Sequence, residues 1–187
     1  MRIKGFVIAV LMVLLFNMPV FAGYVDNFTS DVRIKNALVM LENAGANEVF
    51  ENLEENSVKI VFYDLSQIAY SYNRHFAVNS VDSFGNRYIL IHSKYRNASP
   101  EELACIIAHE SFHKLKVATY EEEYTATQKE AHYWGLLKDK NKTYVNSELL
   151  TRLENLSQLK LASTEQKNLI KEKINKSTFY KRQLATR

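Results

Sequence analysis

The sequence predicts an α+β fold: a small antiparallel sheet, centred on a β-hairpin, packed on a mainly helical body that ends in a helical hairpin. Three observations predict it. Val58 to Tyr63, Phe76 to Val81 and Arg87 to His92 are dense in β-branched and aromatic residues, the composition of strands. From Ser99 onward the chain carries helix-start signals and apolar residues at helical spacing. Its 187 residues, 47% of them apolar, with five glycines, two prolines and one cysteine, have the balance of one globular domain and too much apolar content for a disordered chain.

The N-terminus is set apart. Arg2 and Lys4 precede eleven apolar residues, Phe6 to Phe16, followed by Asn17, Pro19 and Val20-Phe21-Ala22. This charged, apolar, small-residue order predicts a secretory signal cut after Ala22, leaving a single domain over 23–187. The apolar run is shorter than the roughly 20 residues of a spanning helix, so no stable membrane insertion is expected after cleavage. An uncleaved N-terminal anchor is the alternative. The expected location is secreted or periplasmic. Residues 1–22 hold two basic groups and no acidic one, so their removal lowers the net charge from +3 to +1. No arginine-rich face or basic stripe remains to recruit nucleic acid. Cys105 is alone and cannot form an intrachain bridge.

Ser30-Asp31 opens an amphipathic helix through Val32, Leu38 and Leu41 that closes near Gly45, and a second, short helix follows through Val49, Phe50 and Leu53. After the strand at 58–63, Leu65 to Tyr72 is ambiguous. The next two runs flank Asp82-Ser83-Phe84-Gly85-Asn86 and read as a hairpin, with Gly85 supplying a positive φ. Ser99-Pro100-Glu101-Glu102 is a capping box with proline at the first helical position. The helix it starts is apolar nearly all round from Leu103 to Ala108, which predicts burial. Thr119-Tyr120-Glu121-Glu122 is a second capping box, for a helix reaching about Lys138. Leu149, Leu150, Leu153, Leu156 and Leu159, then Leu169, Ile170 and Ile174 beyond a cap at Ser163, predict the C-terminal hairpin.

Inside the buried helix lies His109-Glu110-Ser111-Phe112-His113. Residues at i and i+4 share a helix face, so both imidazoles can reach one metal ion, with the intervening glutamate beside the ion's open side. A chain of this composition would produce about 0.01 such matches by chance. Charged groups in so apolar a helix are costly unless paired or metal-bound.

This motif, within a capped helix that follows a hairpin, resembles the zincin metallopeptidases, and among them the gluzincin type, in which a glutamate on the next helix completes the zinc site. The resemblance covers roughly residues 76–138. No glycine and third histidine follow His113 at the metzincin spacing. The glutamate candidates are Glu121, Glu122, Glu123 and Glu130. With Thr119 as cap, Glu122 is occupied by the capping box. Antiparallel helices joined near 117–119 set residue 113 level with about 123 and residue 109 with about 127, which favours Glu123. Glu123-Tyr124-Thr125-Ala126 also resembles the E-x-x-A around the third ligand in gluzincins. Those families often place Asp next, to orient the first histidine, where this chain has Thr127. Glu130, seven residues on and on the same face, is the alternative third ligand or an acceptor for an imidazole N–H; its bland reading is a surface residue paired with Lys114 or Lys138.

The resemblance implies an exported zinc-dependent peptidase acting on a peptide or protein substrate. His109, His113 and Glu123 would hold Zn2+ and leave a fourth position for water, for which Glu110 is the general base. A zinc amidase acting on cell-envelope peptides and a non-catalytic, zinc-stabilised envelope protein are the alternatives. Tyr120, Tyr124, Tyr133, Tyr144, His92 and His132 all remain candidates for a transition-state donor. Strand 88–92 is either a substrate-pairing edge strand, as in zincins, or an ordinary sheet strand. Cys105 reads as core rather than nucleophile.

Overall fold

The computed structural model describes residues 23–114 and 119–158, with positions 168 and 172. The expected signal at 1–22 and, apart from positions 168 and 172, which are helical, the second helix of the C-terminal hairpin lie outside the described residues. Among the described residues no helix is long and apolar enough to cross a membrane.

The fold is α+β, as expected: the described residues form five α-helices and a three-stranded sheet. Helix α1 (Val32–Asn43) starts at Asp31, whose carboxylate accepts the Arg33 N–H at 2.9 Å. It closes at Gly45, which adopts φ +73°, the left-handed conformation that glycine takes without strain. Helix α2 (Asn47–Glu55) buries Val49, Phe50 and Leu53. Strand β1 is Lys59–Tyr63, and the ambiguous segment after it forms two 3-10 turns, Leu65–Gln67 and Tyr70–Arg74. Strands β2 (Ala77–Val81) and β3 (Arg87–His92) form the expected hairpin. In its turn Gly85 has φ +88°, and Asp82 accepts the N–H groups of Phe84 and Asn86.

The sheet is mixed, which corrects the expected all-antiparallel arrangement. β2 and β3 pair antiparallel, Ala77 opposite Ile91, whereas β1 pairs parallel with β3, Lys59 opposite Tyr88. The order is β1-β3-β2. The connection over 64–76 carries the chain past one strand position, and the hairpin folds β3 back into that space. β3 is therefore central, with both ladders filled, and is not the substrate-pairing edge. The two sheet edges are β1 and β2.

Helix α3 (Pro100–Ser111) is the hub, touching α1, α2, the sheet, and both helices that follow it. Every residue from Glu101 to Ser111 is buried. Its expected capping box is formed: Ser99 N–H donates to Glu102 and Glu102 N–H to the Ser99 hydroxyl. The buried Glu101 carboxylate is held by Lys142 at 2.7 and 2.8 Å. Helix α4 (Tyr120–Leu137) starts at the second expected capping box and lies along α3, with the fully buried Ala126 in the contact. Helix α5 (Glu148–Ser157) buries Leu149, Leu153 and Leu156 and packs on α4.

Candidate metal centre

The α-helix carrying His109 and Glu110 ends at Ser111, so the motif straddles a helix terminus. Its last turn tightens: Phe112 N–H donates to His109 O and His113 N–H to Glu110 O, both at 3.2 Å. These are i to i−3 bonds, and they keep the two rings near each other, with centroids 5.1 Å apart. Carbonyls left over at the helix end are met by the sheet. Asn79 of β2 donates its side-chain amide to His113 O at 3.1 Å and to Glu110 O at 3.4 Å, while Arg87 of β3 donates to Lys114 O at 2.9 Å.

Helix α4 supplies the carboxylates. Glu122 accepts Thr119 N–H and also Lys114 N–H, each at 3.1 Å, so one side chain ties the start of α4 to the end of the α3 segment. This leaves Glu123 facing inward. Its Oε1 lies 3.5 Å from His113 Nε2 and its Oε2 lies 3.7 Å from His109 Nε2. Three buried donors, His109, His113 and Glu123, thus converge with ligand atoms within 4.8 Å of one another, a group that could hold a metal ion. The separations are informative. A direct hydrogen bond would bring nitrogen and oxygen to about 2.9 Å. Ligands 2.0–2.1 Å from a tetrahedral zinc lie roughly 3.3–3.4 Å apart, much closer to the spacing found. The donor set, two imidazoles and one carboxylate, is also one that zinc accepts.

Glu130 is 2% exposed and faces the other side of His109, with Oε2 3.0 Å from Nδ1. The contact is close but angled away from the ring N–H direction. Glu130 is not positioned as third ligand; it stands behind the first histidine, where the expected alternative put an imidazole partner. Nor is it on the surface, since Lys114 pairs with Glu55 and Lys138 with Glu154. Its partner is Arg152 of α5, whose Nε and Nη2 donate to its two oxygens at 2.7 and 2.6 Å.

Burial would raise the Glu130 carboxyl, but the charge and hydrogen bonds of Arg152, with help from His109, hold it down to about 2. Burial pulls His109 down, and the Glu130 carboxylate close against its ring, with the Glu110 charge, outweighs it, leaving His109 raised. His113 is lowered to about 3 by burial and by the neighbouring His109 charge, so it is a neutral imidazole at pH 7, the form that binds metal. Burial lifts Glu110 to about 7; His109 opposes this, and the Glu123 and Glu130 charges add to it.

Arg152 and Asn79 were not evident from the sequence, though each left a trace. Arg152 follows Leu149 by three residues and adjoins Leu153, so it borders the apolar face of α5. Asn79 shares its strand face with Ala77 and Val81. His132 is exposed, while His92 is buried against Asn73, 3.1 Å away. Cys105 is buried in the core cluster. Among the described residues, one surface cavity is lined by Ser147, Thr151 and Arg152 among others, and a second by Glu51, Asn52 and Lys114 among others. Comparisons with protein-family models, curated proteins and solved structures find no match to this chain.

Proposed function

We propose that this protein is an exported zinc-dependent metallopeptidase of the gluzincin type. The observation that carries this reading is the convergence of His109, His113 and Glu123, with ligand atoms within 4.8 Å of one another, and Glu110 buried beside them. Bound there, zinc supplies a Lewis acid that polarises the scissile carbonyl and acidifies water. The protein's own contribution is positional and acid–base. His113 is a ready, neutral ligand. Glu110, with its carboxyl pushed up to about 7, is matched to taking a proton from water near neutral pH and delivering it to the leaving amine. Strand β2 supports a peptide substrate: it is a sheet edge, and Asn79 joins it to the end of α3, so an extended chain pairing with that edge would run past the donors.

One observation favours the non-catalytic reading. The donors are buried, as in a structural zinc site. Zinc analysis with a peptidase assay decides between the two. One zinc per chain is expected, with hydrolysis lowered about 10²–10⁴-fold in Glu110→Gln and the zinc retained. A metal-free protein that takes up no zinc at neutral pH overturns the reading. Zinc uptake without hydrolysis of any peptide library, or hydrolysis indifferent to Glu110→Gln, favours the structural role.

A further inference from the structure

Arg152 is tied to the donor His109 through a single residue, Glu130. Its Nε and Nη2 grip both oxygens of Glu130 at 2.7 and 2.6 Å, the two-pronged geometry that fixes the plane of a carboxylate as well as its position. The oxygen that meets Nη2, Oε2, is the one 3.0 Å from His109 Nδ1. The guanidinium also lies over the Phe76 ring, 5.5 Å from its centroid, just ahead of β2. Arg152 therefore joins α5, α4 and the lead-in to the sheet at the back of the centre. With Nδ1 of His109 against Glu130 at 3.0 Å, Nε2 is on the opposite side of the ring, 3.7 Å from Glu123 Oε2 in the donor cluster. Without the fork, the Glu130 carboxylate could turn about its last bond, and the His109 ring would lose the charged wall that lies 3.0 Å behind its Nδ1.

We propose that Arg152 is a positioning residue of the metal centre: through Glu130 it holds His109 in its ligating orientation, so metal affinity depends on the docking of α5. This rests on the reading of His109, His113 and Glu123 as a zinc site. The role differs from simple helix packing, which the buried leucines of α5 already provide.

The test is zinc affinity of the full chain, measured at neutral pH by competition with a chromophoric chelator. Melting temperatures of the metal-free proteins are recorded alongside. Arg152→Gln is expected to weaken zinc binding about 10–100-fold, and Glu130→Gln by a similar factor. The double variant should bind about as weakly as either single one, because both changes break the same link. Arg152→Lys, which keeps the charge but not the fork, should fall between Arg152→Gln and wild type. Zinc affinity of Arg152→Gln within twofold of wild type, or multiplicative losses in the double variant, would overturn the proposal, even if the melting temperature falls. Should Arg152→Gln fail to fold, Arg152→Lys decides alone, and wild-type affinity in it counts against the proposal. A wild-type chain that binds no zinc sinks the metal centre and this inference together, whereas one zinc bound with Arg152→Gln unaffected sinks only this inference.

Discussion

Glu123 and Glu130 are chemically identical and seven residues apart on one helix, and their neighbours give them different tasks. Glu123 meets two imidazole Nε2 atoms at distances too long for hydrogen bonds, whereas Glu130 meets an imidazole Nδ1 and an arginine fork. Glu123→Ala should therefore abolish stoichiometric zinc uptake, while Glu130→Ala should weaken it about 10–100-fold; metal analysis after gel filtration separates these outcomes. Glu130 also makes a pH prediction for the metal-free protein. Its folded pKa, about 2, lies below the ordinary value of 4.5. The stabilisation is complete above about 4.5 and lost as pH falls toward about 2. Over that window, urea midpoints should fall less steeply in Glu130→Gln than in wild type. Which glutamate would be the ligand was argued from capping chemistry and helix levels, both read from residue spacing. Arg152 was hidden, because the fork joins residues 22 positions apart on helices whose relative rotation no local pattern encodes.

At the scale of elements, the two capping boxes were legible and both form, since the donors and acceptors they join are three residues apart. Ser99→Ala should cost about 1 kcal/mol of unfolding free energy, read from denaturant midpoints, without changing zinc affinity, because the cap is at the far end of α3 from the motif. The opposite end behaves differently. The tightened turn that presents His113 is held by Asn79 of β2, so Asn79→Ala should weaken zinc binding as well as stability, by about 1–3 kcal/mol in the latter for the His113 carbonyl stripped of the amide that meets it. The hairpin was legible from its alternation and from Gly85. The strand order was not: β1 carries no sequence mark saying that it will pair parallel with a strand about 30 residues later, since side-chain alternation is the same for either direction.

Across the whole molecule, α3 is the element every other helix and the sheet pack against, and the motif is at its end. The apolar character from Leu103 to Ala108 serves the core, and the same burial brings the donors into an environment where His113 stays neutral and Glu110 rises to about 7. Metal binding and folding should accordingly be coupled. Zinc at 100 times its dissociation constant should add about 2.7 kcal/mol of apparent stability, seen as a thermal shift in wild type that is absent in His109→Ala. By itself the sequence determined the α+β class, the capped buried helix, the histidine pair with its glutamate, and the preference for Glu123. All of these follow from interactions a few residues apart, or from helices joined by a short turn. Tertiary structure decided the mixed strand order, the edge position of β2, the assignment of Glu130 to the back of His109, and the Arg152 fork that holds it. Those depend on how whole elements rotate and stack to bury their apolar faces, a property of the packed chain that no window of sequence contains.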